Sequence, residues 1–183
     1  MCVKNCITRL QIDGFSALLN NLQIDELGLA PYVRFYLAHL ITHKEYFLHI
    51  YASVLNQLLN SINKPKEQIA MVDYGAGNGL LGLFAKYCGF NNVTLIDISP
   101  EFHHSQKMLS KKINILPDSL LCGDVDLLKK EMKVPPDVIV GTDVIEHIYD
   151  LDSFLSTLRL LSEKPVIVFT TASNEKNWLK KNG

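Results

Sequence analysis

Between residues 12 and 62 the apolar positions recur at helical intervals and show no strand-like alternation. Leu37, Leu40, Ile41, Phe47, Leu48, Tyr51, Val54, Leu55 and Leu58 form one broad stripe. Pro31 is the only proline in this stretch, which predicts two or three helices. The polar run Asn63-Lys64-Pro65-Lys66 ends it with a helix breaker. Beyond that break, short apolar runs alternate with helical patterns, the arrangement that a parallel sheet covered on both faces requires. Strands are expected at residues 69–73, 93–97, 119–122, 138–141 and 166–170. Helices are expected at 79–88, 101–111 and 151–161, with only a short turn after Asp126. Ser99-Pro100-Glu101 reads as a helix start, with proline where a missing N–H does least harm. The pattern predicts an α/β fold in which a helical segment (1–65) precedes a sheet-containing, ligand-binding domain (66–183).

Composition narrows this picture. With 183 residues, 48% hydrophobic and 20% charged, the chain has room for one domain with a real core plus a small helical addition. A formal net charge of -1 provides no general basic field for a nucleic acid, and Lys111–Lys112 and Lys129–Lys130 read as solvated helix ends. Cys2, Cys6, Cys88 and Cys122 form neither a C-x-x-C pair nor a zinc spacing, so they read as buried or idle thiols. No basic, apolar leader and no membrane-length apolar run is visible. A cytoplasmic, reducing setting without a membrane partner is the expectation.

The chemistry centres on Val72-Asp73-Tyr74-Gly75-Ala76-Gly77-Asn78-Gly79, a glycine-rich turn behind an apolar run and ahead of a helical pattern. Glycines at alternate positions let the backbone turn tightly and approach a ligand closely. A dinucleotide turn has the form G-x-G-x-x-G, and its third glycine position, counted from Gly75, is Leu80 here. Asp73 would also repel a pyrophosphate while suiting a cationic ligand. A nicotinamide-dependent reductase is disfavoured on both grounds.

This segment resembles motif I of the class I S-adenosylmethionine-dependent methyltransferases, which have a Rossmann-like fold, and the resemblance extends over residues 69–171. In that family the acidic residue of motif I, here Asp73, holds the amino acid end of the cofactor. Asp97, 18 residues past Gly79, falls where a carboxylate accepts the ribose hydroxyls. Cys122-Gly123-Asp124-Val125 is similar to the segment that places an acid or amide on the adenine amino group, with Asp124 in that role. The resemblance implies a pocket for S-adenosylmethionine, and for the product S-adenosylhomocysteine, built from Asp73, Gly75, Ala76, Gly77, Asn78 and Gly79. Asp97 and Ile98, Gly123, Asp124 and Val125, and Thr142 and Asp143 complete it from the following strand ends.

Asp143-Val144-Ile145-Glu146-His147 resembles motif IV of the branch holding ubiquinone-pathway O-methyltransferases and small-RNA 3′-end methyltransferases. Relatives there can hold a divalent metal through positions matching Asp143, Glu146 and His147. His147 also reads as a general base, because an imidazole near neutral pKa can take the proton of an attacking hydroxyl. His39 and His43 share a helix face but lack the H-E-x-x-H pattern. The resemblance implies O-methylation of a small-molecule acceptor. A scaffold that binds the cofactor without turnover and an RNA-end methyltransferase are the alternatives. The family sheet usually has seven strands, and five are legible here, so missing C-terminal strands and self-association through an open sheet edge are expected. Trp178 and Lys180–Lys181 read as the start of a further helix.

Overall fold

The computed structural model describes residues 6–171. Three helices come first: α1 (Arg9–Asn20), α2 (Pro31–Thr42) and α3 (Lys44–Ser61). A capping box starts α1: the Thr8 side chain accepts from Gln11 N, and the Gln11 side chain accepts from Thr8 N. Pro31 opens α2 at a position where no intrahelical N–H is needed. Then strands and helices alternate as β1 (Ala70–Tyr74), α4 (Leu80–Tyr87), β2 (Asn92–Asp97), α5 (Pro100–Lys112), β3 (Ser119–Cys122), α6 (Val125–Glu131), β4 (Val138–Thr142), α7 (Leu151–Arg159) and β5 (Val166–Thr170).

The sheet is wholly parallel, in the order β3-β2-β1-β4-β5. Successive side chains of a strand face opposite sides, and the core divides accordingly. Met71, Leu95, Val138 and Val140 pack with α1, α3, α4 and α5 on one face. Val72, Ile96 and Ile139 pack with Leu128 of α6 and with Phe154 and Leu158 of α7 on the other. Phe15, Leu37 and Leu55 of the first three helices lie in the same cluster as Met71 and Leu83, so the core is continuous from α1 into the sheet. The open α/β architecture expected from the sequence is therefore present, with helices on both faces.

Two local features differ from expectation. The segment after Asp126 is a seven-residue helix, α6, with Asp124 as its N-cap. A 3-10 turn, Ile145–His147, follows β4. Among the described residues β5 pairs only with β4 and so forms a sheet edge. Trp178 and Lys180–Lys181 lie outside the described residues.

Candidate functional site

The strand order reverses direction between β1 and β4, and in open α/β sheets ligands bind beyond the strand carboxyl ends at such a switch. A cavity of about 750 Å³ lies there, within the range usual for small-molecule sites. Its sheet side is Tyr74 of β1 with Gly75 just after it, Ile96 and Asp97 of β2 with Ile98, and Thr142 of β4 with Asp143 and Val144, with Gly123 beside them. Tyr32, Phe35 and Tyr36 of α2 and Phe102 of α5 form the opposite wall, and His147 and Ile148 complete it.

The turn after β1 needs its glycines for conformation. Gly75, Gly77 and Gly79 have φ of 65°, 52° and 83°, all left-handed. Gly75 also makes a close approach, since a Cβ there would lie 2.5 Å from Cγ2 of Val144. The turn is pinned on several sides. Ala76 N donates to Ile96 O (3.0 Å), Gly77 N to Asp97 Oδ2 (2.8 Å) and Gln106 Nε2 to Gly77 O (2.8 Å). Ser105 Oγ and Asn78 Oδ1 are 2.5 Å apart, while the buried Asn78 Nδ2 and Gln106 Oε1 make no protein hydrogen bond. Helix α5 thus supports the turn from beneath.

Asp97 is 8% exposed, and its other oxygen accepts from Ser99 N at 2.9 Å. Asp73 is 1% exposed and lies behind the cavity wall, where it accepts the N–H of Gly82 in the first turn of α4 at 2.9 Å. Burial raises its carboxyl to about 7; the Gly82 N–H opposes this, and the charge of Asp97 adds to it. The structure therefore places Asp73 as an anchor between β1 and α4, one layer behind the residues that face the cavity.

Of the cofactor residues expected from the sequence, Gly75, Asp97, Ile98, Gly123, Thr142 and Asp143 line the cavity. Ala76, Gly77, Asn78 and Gly79 form the turn beside it. Asp124 and Val125 do not line it. Asp124 is exposed, and its carboxylate accepts from Asp126 N and Leu127 N as the cap of α6. Val125 is the first residue of that helix.

His147 lines the cavity from the 3-10 turn and is exposed to solvent. The expected metal set needs correcting. Among the described residues no group of three His, Cys, Asp or Glu side chains gathers to hold an ion. Asp143 sits in a left-handed conformation (φ 54°) at the end of β4, with its N–H bonded to Thr170 O. Glu146 and His147 follow on a helix of three residues per turn, which sends adjacent side chains a third of a turn apart. Asp143, Glu146 and His147 therefore do not converge.

Two features escaped the sequence reading. The aromatic wall of Tyr32, Phe35 and Tyr36 falls at helical spacing, but off the apolar stripe that marks the core. Gly82 completes G-x-G-x-x-G when the count starts at Gly77 rather than Gly75. A Cβ at Gly82 would lie 2.0 Å from Leu95 Cδ2 and 3.1 Å from Asp73 Oδ2, so this glycine lets α4 pack closely on the sheet. Leu80 is consequently no argument against a dinucleotide. The acidic lining is: Asp97 and Asp143 face the cavity, and among the described residues no Lys or Arg forms part of it.

A parallel sheet with a glycine turn under an acid-lined cavity at its switch point is the cofactor-binding architecture of class I S-adenosylmethionine-dependent methyltransferases. The chain belongs to that class: the methyltransferase domain family model matches residues 43–182. It is 33% identical over 131 residues to the histone-arginine methyltransferase METTL23 of Rattus norvegicus, covering 68% of this chain and 57% of that protein. Against the ubiquinone biosynthesis O-methyltransferase of Pelagibacter ubique it is 30% identical over 118 residues, covering 64% of this chain and 47% of that protein. The chain thus spans about half the length of these curated relatives. The structure of magnesium protoporphyrin IX methyltransferase (ChlM) from Synechocystis PCC 6803 with bound SAH shares the fold. It has a TM-score of 0.55 at 19% identity, covering 99% of this chain and 76% of that one. Among the described residues no helix is long and apolar enough to cross a membrane.

Proposed function

We propose that the chain binds S-adenosylmethionine over the glycine turn and methylates an oxygen of a small neutral or cationic acceptor that enters beside Asp143 and His147. The observation that carries this reading is the cavity at the switch point, which among the described residues has two carboxylates and no Lys or Arg in its lining. Such a lining suits a sulfonium and an α-ammonium group and opposes phosphates and carboxylates. The residues fit an adenosyl ligand in other ways. The left-handed turn leaves backbone free of side chains, and Asn78 Nδ2 and Gln106 Oε1 are buried beneath it without protein partners.

The cofactor, when bound, supplies an electrophilic methyl group on a positively charged sulfur. Asp97 holds Gly77 N in place and retains lone pairs for ribose hydroxyls. The rings of Tyr32, Tyr36 and Phe102 offer an apolar wall for the base; Phe102 meets the two tyrosines edge-on at 5.8 and 6.0 Å. Thr142 and Asp143, at the tip of β4, would orient the acceptor, and a His147 ring nitrogen would take the proton of the acceptor hydroxyl.

The test is calorimetry with S-adenosylhomocysteine alongside a methyl-transfer assay on a panel of hydroxyl, amine and arginine-peptide acceptors. For His147→Ala we expect S-adenosylhomocysteine affinity within about twofold of wild type and a turnover loss of roughly 100-fold, as befits a lost general base. Equal turnover removes His147 from the chemistry. Binding without turnover on any acceptor makes the chain a cofactor-binding scaffold, and transfer to the peptide alone moves the acceptor class to that of the rat relative.

A further inference from the structure

Helix α5 brings two successive side chains, Ser105 and Gln106, to the glycine turn, and both are fully buried. Gln106 Nε2 donates to Gly77 O at 2.8 Å, while Asp97 Oδ2 accepts from Gly77 N at 2.8 Å. The peptide groups on both sides of this left-handed residue are therefore fixed by side chains from outside the turn. We infer that Gln106, aided by Ser105, is a positioning residue: by fixing the Gly77 carbonyl from beneath, it sets how tightly the turn binds the adenosyl donor.

The two sides of the turn are the first argument. A Cβ on Gly77 would meet Tyr36 Cε1 at 3.9 Å, so its Cα faces the space under the aromatic wall. A Cβ on Gly79 would lie 2.9 Å from Leu95 Cδ1 and 3.1 Å from Gln106 Cγ, so the underside of the turn rests on Gln106. One amide thus supports the turn by packing at Gly79 and by hydrogen bonding at Gly77. Asn78, between them, is held by Ser105 Oγ, which donates to its Oδ1 at 2.5 Å. Each of these turn residues is tied to α5.

The cost of the amide is the second argument. Gln106 Oε1 and Asn78 Nδ2 are buried with no hydrogen-bond partner among the described residues, and an unpaired buried polar atom loses its hydration without compensation. A methionine fills similar space with no orphan oxygen. What the amide contributes, and an apolar chain cannot, is the N–H on Gly77 O. Glycine is conformationally permissive, so without that tie the peptide plane after Gly77 takes up several orientations. A ligand that fits one of them then binds more weakly by the fraction of the others.

This inference rests on the proposed function, and the experiment keeps the two apart. Wild type, Gln106→Met and Gln106→Glu are titrated with S-adenosylhomocysteine by calorimetry, with urea unfolding and amide hydrogen exchange of residues 74–79 measured alongside. Ser110→Ala is the control, a buried α5 residue whose hydroxyl donates to Lys107 O of its own helix. We expect Gln106→Met to keep a urea midpoint close to wild type, to bind about tenfold more weakly and to exchange residues 74–79 about tenfold faster. Ser110→Ala should bind within about twofold of wild type. Gln106→Glu restores a donor to Gly77 O only when protonated. Relative to wild type, which carries the same Asp73 and Asp97, its affinity should be near normal at about pH 5 and about tenfold weaker at about pH 8. Gln106→Met binding within twofold of wild type overturns the assignment, and so does an equal loss in Ser110→Ala. If Gln106→Met does not fold, a Gln106→Glu affinity ratio that is the same at both pH values overturns it. A missing S-adenosylhomocysteine signal in wild type overturns the cofactor reading instead, and unchanged exchange at residues 74–79 then still removes Gln106 from support of the turn.

Discussion

Replacing Asp97 by Asn separates the support of the glycine turn from contact with the ligand. In the folded protein Asp97 accepts two backbone N–H groups, Gly77 N on Oδ2 at 2.8 Å and Ser99 N on Oδ1 at 2.9 Å. An amide has one oxygen, so in Asp97→Asn one of these N–H groups faces an NH2. At 8% exposure water does little to compensate. A hydrogen bond to a charged partner contributes about 1.5–3 kcal/mol, so urea unfolding should report a loss of roughly that size. If the same carboxylate also accepts ribose hydroxyls, binding loses a comparable amount independently. At about 1.4 kcal/mol per factor of ten, the S-adenosylhomocysteine Kd rises roughly 10- to 150-fold. Ser99→Ala is the control. It removes the hydroxyl that caps α5 by accepting from Phe102 N, and costs about 1 kcal/mol of stability, but leaves the carboxylate in place. Calorimetry on both variants decides: a folded Asp97→Asn protein whose affinity stays within twofold of wild type refutes the argument that this strand end holds the ribose.

Two further outcomes follow from the same geometry. Asp73 has a carboxyl raised to about 7, above its ordinary value, so the folded chain binds a proton that the unfolded chain releases near pH 4. The stability this contributes is fully present below about pH 4 and is lost as pH rises through about 7, with a ceiling of about 4 kcal/mol. Urea midpoints for Asp73→Asn should therefore decline less with pH over that window than those of wild type, and parallel curves would discount the raised carboxyl. Gly75→Ala combines a left-handed backbone, which costs a side chain about 1–2 kcal/mol, with overpacking against Val144, worth about 1–3 kcal/mol. Its melting temperature should fall, and Val144→Ala in the same chain should recover part of the loss. No recovery would place the strain elsewhere.

How far the sequence could be read depended on whether a residue had one physical use or two. Val72, Ile139 and Val140 lie in strands buried on both faces, and such strands announce themselves as continuous apolar runs. Strands β3 and β5 have the limits expected of them, while β1 and β4 end one residue later, where Tyr74 and Thr142 turn toward the cavity. Helix α6 was read as a turn because Leu128 alone is buried among Asp126, Lys129 and Lys130, which leaves no apolar stripe to detect. Its cap, Asp124, shows the ambiguity most plainly. A carboxylate after glycine serves a helix N-terminus as well as it serves a ligand, and spacing cannot choose between them. Asp73 presents the same problem, since its value to the fold depends on Gly82, nine residues away. Tyr32, Phe35 and Tyr36 were invisible as site residues because their function depends on where α2 packs; Phe35 is 76% exposed and contributes nothing to a core pattern.

The acids at the strand ends fit the cationic donor proposed above. Burial raises the cost of ionising Asp73, and the charge of Asp97 adds to it. Asp143 does the same to the phenols of Tyr36 and Tyr51. A fold selected for stability alone would dilute this concentration of like charge with lysine or arginine, as it does at the opposite end of the sheet, where Lys64 meets Asp137 at 2.7 Å. Among the described residues lining the cavity there is no Lys or Arg beside Asp97. On the proposed reading, a sulfonium donor over the glycine turn brings a compensating positive charge to the end of β2.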